Sequence, residues 1–228
     1  MSSPPVIGVL SGCGGAGASV FASVLAGVSA KPSFLIDCDP MGGGIDVLLG
    51  CEQIPGPRWR QVRVRGGTLD PAVLVDGLPR WQDVSFLAAD SADDLDPDAV
   101  VQVIDAACLA GPVVLDLPRW PSRVRVAALA RCDRVVLVTV AEVRAVTAAG
   151  LIAAALDPVL SVVAVRGMSR SLPASRIGQV LGLPVIGELP FDTASLSPAG
   201  LDVRKLRRGT RQCAKAVLQS CQDDQVAA

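Results

Sequence analysis

The sequence predicts an α/β fold, a three-layer αβα sandwich around a mainly parallel central sheet, and three observations carry that reading. Strand-like and helix-like segments alternate along the chain, as they do when each crossover between parallel strands is a helix. The strand-like segments are nearly unbroken apolar runs, which suits strands covered on both faces. No repeat, long linker or low-complexity tract divides the 228 residues, half of which are hydrophobic, so a single domain over 1–228 with one sizeable core is expected.

Taken in order, strand-length runs of β-branched or apolar residues occupy 6–10, 33–37, 84–88, 113–117, 134–140, 161–165 and 185–187. Between them, helical spacing predicts helices over 19–28, 97–109, 121–130, 143–156, 173–181 and 203–219. Asp96 before Pro97 is an N-cap followed by proline at the first helical position. Residues 51–82, including "GPRWRQVRVRGGTLDP", follow neither period and stay unassigned. The acidic cluster from Asp90 to Asp98 lacks the glycine and terminal glutamate of a calcium loop and reads as a solvated turn.

Composition excludes several classes. A net charge of −1 implies no bulk attraction to nucleic acid or anionic membranes. Cys13, Cys38, Cys51, Cys108, Cys132, Cys213 and Cys221 are odd in number and never spaced Cys-x-x-Cys, and the sequence has no histidine. Neither a disulfide framework nor zinc, haem or an iron–sulfur cluster is expected, and a reducing cytoplasm fits. Met1 to Pro5 carries no basic region of a signal peptide. The weakly polar stretch 145–165 is cut by Asp157-Pro158 into pieces too short for a bilayer, and reads as a helix followed by a strand.

The stretch "VIGVLSGCGGAGASVFASVLAG" is a strand, a glycine-rich loop and a helix. Gly12, Gly14 and Gly17 fit the dinucleotide fingerprint G-x-G-x-x-G, with Asp37 about 20 residues on. Gly12, Cys13, Gly14, Gly15, Ala16, Gly17, Ala18 and Ser19 also fit the P-loop G-x-x-x-x-G-K-[ST] except at the lysine, which is Ala18. Both designs set bare backbone N–H groups against phosphate, so the glycines do not decide. Three other features favour the P-loop, and with it a P-loop NTPase-like sandwich. Ser19 stands where a Mg²⁺-binding hydroxyl belongs, and "VVLDLP" ends a buried strand on Asp116, as a Walker B carboxylate does. Asp37 and Asp39 precede the glycines of "DCDPMGGGIDVLLG", a pair able to position a metal and an attacking water. An oxidoreductase would need a proton donor, and the chain has neither histidine nor tyrosine.

On these residues the sequence resembles the deviant Walker A ATPases of the MinD and ParA group. Within it the chain is similar to the CpaE and TadZ pilus-assembly proteins, and to the actinobacterial septum-site-determining Ssd and "helicase/secretion neighbourhood CpaE-like" proteins. The late block "VVAVRGMSRSLPASRIGQVLGLPVIGELPFD" extends the likeness. The resemblance implies ATP or ADP with Mg²⁺ held by residues Gly12 to Val20 and Arg166. It implies Ser19, Asp39 and Asp116 at the metal, and Asp37 and Asp39 in catalysis. A homodimer and cell-division or pilus and secretion partners are implied too, with recruitment from the cytoplasm to a pole or septum.

The departures from that pattern bear on chemistry. The family's two P-loop lysines are Cys13 and Ala18 here, and the Asn-Arg that contacts adenine is Val165-Arg166. Without either charge, weak nucleotide binding and slow or absent hydrolysis are expected. A glycine turn that no longer holds nucleotide, in a pseudo-ATPase scaffold, is the alternative. The CpaE relatives' receiver-like domain has no counterpart in these residues. Arg204, Lys205, Arg207, Arg208, Arg211 and Lys215 read as a solvated helix face, so no strong nucleic-acid binding is expected. Val203, Leu206, Cys213, Val217 and Leu218 supply that helix's buried side.

Overall fold

Alternation in the sequence becomes layering in space. A computed structural model describes residues 3–63, 69–90, 95–157, 161–167, 172–190, 196–197 and 199–227. The first half runs β1 (Val6–Ser11), α1 (Ala18–Val28), β2 (Ser33–Asp37), α2 (Ile45–Leu49), α3 (Pro71–Gly77), β3 (Arg80–Trp81), β4 (Val84–Leu87) and α4 (Pro97–Cys108). The second runs β5 (Val113–Leu117), α5 (Arg123–Leu129), β6 (Arg134–Val140), α6 (Val143–Ala153), β7 (Ser161–Arg166), α7 (Ala174–Leu181), β8 (Val185–Leu189), β9 (Leu196–Ser197), β10 (Gly200–Leu201) and α8 (Arg208–Ala227).

Eight strands form one sheet in the order β3-β4-β2-β5-β1-β6-β7-β8, parallel throughout except for the antiparallel edge pair β3-β4. Every residue of β2 and β5 is buried, which is why these strands read as continuous apolar runs. One core packs α1, α2 and α8 on one face through Phe21, Ile45 and Val217. The other packs α4 to α7 on the opposite face through Ile104, Ala128, Val146 and Ile177. The three-layer expectation is met.

Local rules hold where they were strongest. Asp96 caps α4, its carboxylate accepting from the Asp98 amide at 3.1 Å. The stretch 145–165 contains most of α6 and then β7, and among the described residues no helix is long and apolar enough to cross a membrane.

The last helix differs from its expected 203–219 span. Asp202 accepts from the Arg204 amide at 3.0 Å and caps a 3-10 turn over Val203–Lys205, so α8 begins only at Arg208. Of the basic residues, Arg204 and Lys205 therefore lie in that turn, Arg207 in the link after it and the other three in α8, and Arg204 and Lys205 face Asp202 at 3.0 and 4.0 Å. Leu206, Cys213 and Val217 are buried, as the apolar spacing implied.

One side chain holds the start of the unassigned stretch, residues 51–58. Arg58 is buried and forms an ion pair with Asp46 of α2, Nε to Oδ2 2.8 Å. Its other nitrogens donate to the carbonyls of Cys51, Ile54 and Gly56 at 3.2 to 3.3 Å, and its guanidinium lies 5.3 Å from the centre of the Phe86 ring. A 3-10 turn follows at Trp59–Gln61. Residues 64–68 of this stretch, 91–94 of the acidic turn, and 168–171 and 191–192 of the late block lie outside the described residues.

Candidate functional site: a phosphate-loop cleft

Topology brings the sequence motifs to one end of the sheet. β5 lies between β1 and β2, with Val9 of β1 in register with Asp116 and Asp116 in register with Asp37 of β2. The loop after β1 thus opens beside two buried carboxylates at the carboxyl ends of neighbouring strands, the usual location of a ligand site in such sheets.

The loop owes its shape to its own backbone. Gly12 donates its amide to Val138 of β6 at 2.8 Å, and a methyl there would stand 2.7 Å from Ala149 Cβ of α6. The Cys13 carbonyl accepts from the Ala16 amide at 3.3 Å and from the Ser11 hydroxyl. Gly14 and Gly15 are exposed, and Ala16 is buried. Gly17 precedes α1 with φ 91°, a left-handed conformation that glycine adopts without penalty, and no side chain caps the helix. The first-turn amides of α1 are therefore left to an anion or to solvent.

A cleft of about 390 Å³ opens over this loop, lined by Gly15, Gly17, Ala18, Ser19, Val20, Asp37, Asp116 and Arg166 among others. Ser11, Gly42, Gly44, Ile45 and Leu48 complete its wall. Motif spacing did not identify Ser11 or Leu48, although the glycines after Asp39 already marked the loop opposite. Arg166 arrives from the end of β7 and donates Nη1 to the Gly15 carbonyl at 2.9 Å. Gly12, Cys13, Gly14 and Ala16 shape the loop without lining this cleft.

The carboxylates divide their work. Asp37 is buried and accepts three backbone amides, from Asp39 (3.0 Å) on one oxygen and from Ile45 (3.0 Å) and Ala89 (3.2 Å) on the other. It thereby ties together β2, the entry to α2 and the end of β4. The Trp59 indole fixes the Asp37 carbonyl at 2.6 Å. Asp39 turns one oxygen to the Met41 amide at 3.1 Å and is not on the cleft wall. Ser19, Asp37, Asp116 and Arg166 are brought together; Asp39 stands behind them.

Burial pushes the Asp37 carboxyl up to about 7 despite its three amide donors. Asp116 is raised well above the carboxylate range, first by burial and then by the charge of Asp37, with the Ser19 hydroxyl acting in the opposite sense. A raised carboxyl contributes stability that is full below its unfolded value near 4 and is lost as pH rises through its folded value. Folding stability in urea should therefore fall between about pH 4 and pH 7, and Asp37→Asn should flatten that slope. A natural chain whose stability changes over this interval no more than the variant's would contradict the assignment.

Ser19 and Asp116 offer oxygen donors alone, the set that suits Mg²⁺, which takes one or two protein oxygens and fills its octahedron with phosphate and water. Among the described residues no group of three or more His, Cys, Asp or Glu is arranged around a metal. The oxygen donors of Ser19 and Asp116 fit a Mg²⁺ that arrives with phosphate.

No family model matches the chain. Solved structures do. A ParA family ATPase from Chlorobium tepidum TLS superposes with TM-score 0.76, covering 96% of this chain and 99% of that one at 16% identity. The septum site-determining protein MinD from Pyrococcus horikoshii OT3, complexed with Mg-ADP, gives 0.70 over 99% of both chains at 18% identity. The fold is that of the ParA and MinD ATPases. Beyond the ParA/MinD fold, the chain is 40% identical over 209 residues to the uncharacterized proteins MT3760 and Rv3660c of Mycobacterium tuberculosis, strains CDC 1551 and H37Rv. The match takes in 88% of this chain but spans only 59% of the length of those relatives.

Proposed function

We propose that this chain is a MinD/ParA-like positioning protein, of the CpaE and Ssd kind, acting in septum-site determination or in localising a pilus or secretion apparatus. The observation that carries the reading is a P-loop cleft that keeps its hydroxyl and carboxylates, Ser19, Asp37 and Asp116, while both lysine positions are Cys13 and Ala18. Loop amides, the α1 N-terminus and Arg166 hold ADP or ATP weakly. Ser19 and Asp116 hold its Mg²⁺, which supplies charge neutralisation to the phosphates. Asp37 fixes the wall. The P. horikoshii MinD, of the same fold and complexed with Mg-ADP, supports a nucleotide with Mg²⁺ as the ligand. Loss of the lysines leaves the transition state short of positive charge, so turnover is slow or absent.

Nucleotide state, or partner binding alone, then biases a homodimer or a complex with cell-division, pilus or secretion proteins at a pole or septum. A second reading, a pseudo-ATPase scaffold, is favoured by the engagement of both Asp37 oxygens with backbone amides. Steady-state phosphate release from Mg-ATP tests the reading. The natural chain should stay within a few-fold of background, as expected where a transition-state cation is missing. Rapid Mg²⁺-dependent hydrolysis would contradict it.

A further inference from the structure

We propose that the outer face of α6 docks a second copy of this chain, in an antiparallel helix pair that forms without nucleotide and stands apart from the nucleotide reading above. Helix α6, with the sequence VRAVTAAGLIA, holds one charged side chain, Arg144, and one hydroxyl, Thr147. That hydroxyl is turned back to the Val143 carbonyl at 2.9 Å, so it is already engaged within the helix. A helix that is apolar all round is ordinarily buried on every side. Helix α1, which has no charge either, meets that rule by lying between the sheet and α8. In α6 only one side is buried, through Ala145, Val146, Ala149 and Ala153. On the other side Val143 and Leu151 are 65% and 81% exposed.

Val143, Thr147 and Leu151 recur every four residues and form one ridge, which the exposed Ala155 continues past the end of the helix. Charge decides how a second ridge lies on it. Arg144 is exposed at the start of the ridge and Asp157 is exposed beyond its end. A parallel pair would set Arg144 beside Arg144 and Asp157 beside Asp157. An antiparallel pair about a two-fold axis, with Thr147 of one copy opposite Leu151 of the other, sets each Arg144 beside the end that carries Asp157 in the other copy. The attraction then occurs twice, and the self-complementary contact closes at a dimer. Thr147 and Leu151 each stand two positions from Ala149, about 200° around the helix, and Ala149 is the residue that abuts Gly12 of the phosphate loop. The docking face is therefore turned away from the loop, and the dimer leaves the cleft open.

Sedimentation equilibrium without nucleotide tests the proposal on the natural chain, Leu151→Glu, Arg144→Asp, Asp157→Arg and the double reversal that combines the last two. The natural chain should dimerise with a dissociation constant in the micromolar range, the weak end for a specific interface. Leu151→Glu puts a charge at the centre of the apolar contact and should weaken it by roughly tenfold or more, with the fold intact by circular dichroism because residue 151 is exposed. Each single reversal should weaken it by about fivefold, and the double reversal should return it to within about twofold of the natural chain. A natural chain that stays monomeric at about 100 μM, a dimer that Leu151→Glu leaves as tight, or a double reversal no tighter than the singles would overturn the proposal. Each of those results leaves the nucleotide reading standing, since no ligand is present, and a failure to bind ATP would leave this dimer untouched.

Discussion

Replacing Arg58 with alanine is expected to lower folding stability by about 3–5 kcal/mol, because it leaves a buried carboxylate without its partner. The side chains of Arg58 and Asp46 are 10% and 12% exposed, and their contact is a charged hydrogen bond of 2.8 Å. The same guanidinium satisfies three carbonyls of the chain that wraps around it, at Cys51, Ile54 and Gly56. The Cys51 carbonyl would keep the Ile54 amide at 3.0 Å, but those carbonyls would lose a charged donor. Arg58→Lys should recover only part of the loss, since an ammonium cannot span four acceptors and stack on Phe86 with the geometry of a planar fork.

The damage should reach the cleft. Asp46 lies in the first turn of α2, beside Ile45, whose amide holds Asp37, and Trp59 follows Arg58 directly and holds the Asp37 carbonyl. Urea unfolding checks the energy. A change below about 1 kcal/mol, the scale of an exposed ion pair, would show that the pair contributes no more than a surface contact.

That arginine also explains the start of the stretch that sequence reasoning left blank. Arginines are read as surface residues, and residues 51–58 follow neither the two-residue nor the 3.6-residue period, because their order comes from one side chain donating to the carbonyls of Cys51, Ile54 and Gly56. β2, β5 and β6 were legible for the opposite reason. Covered on both faces, they are apolar apart from Ser33, Asp37, Asp116, Arg134 and Thr139, and their predicted bounds match the observed ones. The start of α8 was missed because Val203 and Leu206 continue an apolar spacing across a 3-10 turn that Asp202 caps. In the cleft, the glycines, Ser19 and Asp116 could be read from motif spacing. The three amides on Asp37 could not, since the Ala89 donor lies 52 residues away and carries no side-chain signal. Nor could the seat of Arg166 on the loop, which depends on β7 ending beside Gly15.

Restoring the missing lysine should have the largest effect on ligand binding. Ala18 is the first residue of α1 and lines the polar cleft between Gly17 and Ser19. Helical side chains lean toward the N-terminus, so a lysine at 18 runs back over the loop to where phosphates would lie. One charge-assisted hydrogen bond contributes about 1.5–3 kcal/mol, which corresponds to roughly 10- to 150-fold in affinity. That figure is a net one, with the ordering of the side chain already included.

Calorimetric titration of Mg-ATP into the natural chain and into Ala18→Lys, side by side, therefore addresses the central claim that the cradle survives and the cation is gone. The account predicts weak binding to the natural chain and binding at least about tenfold tighter to the variant. Equal affinities, or no binding to either with the fold intact by circular dichroism, would show that the loop is not a phosphate site awaiting its lysine.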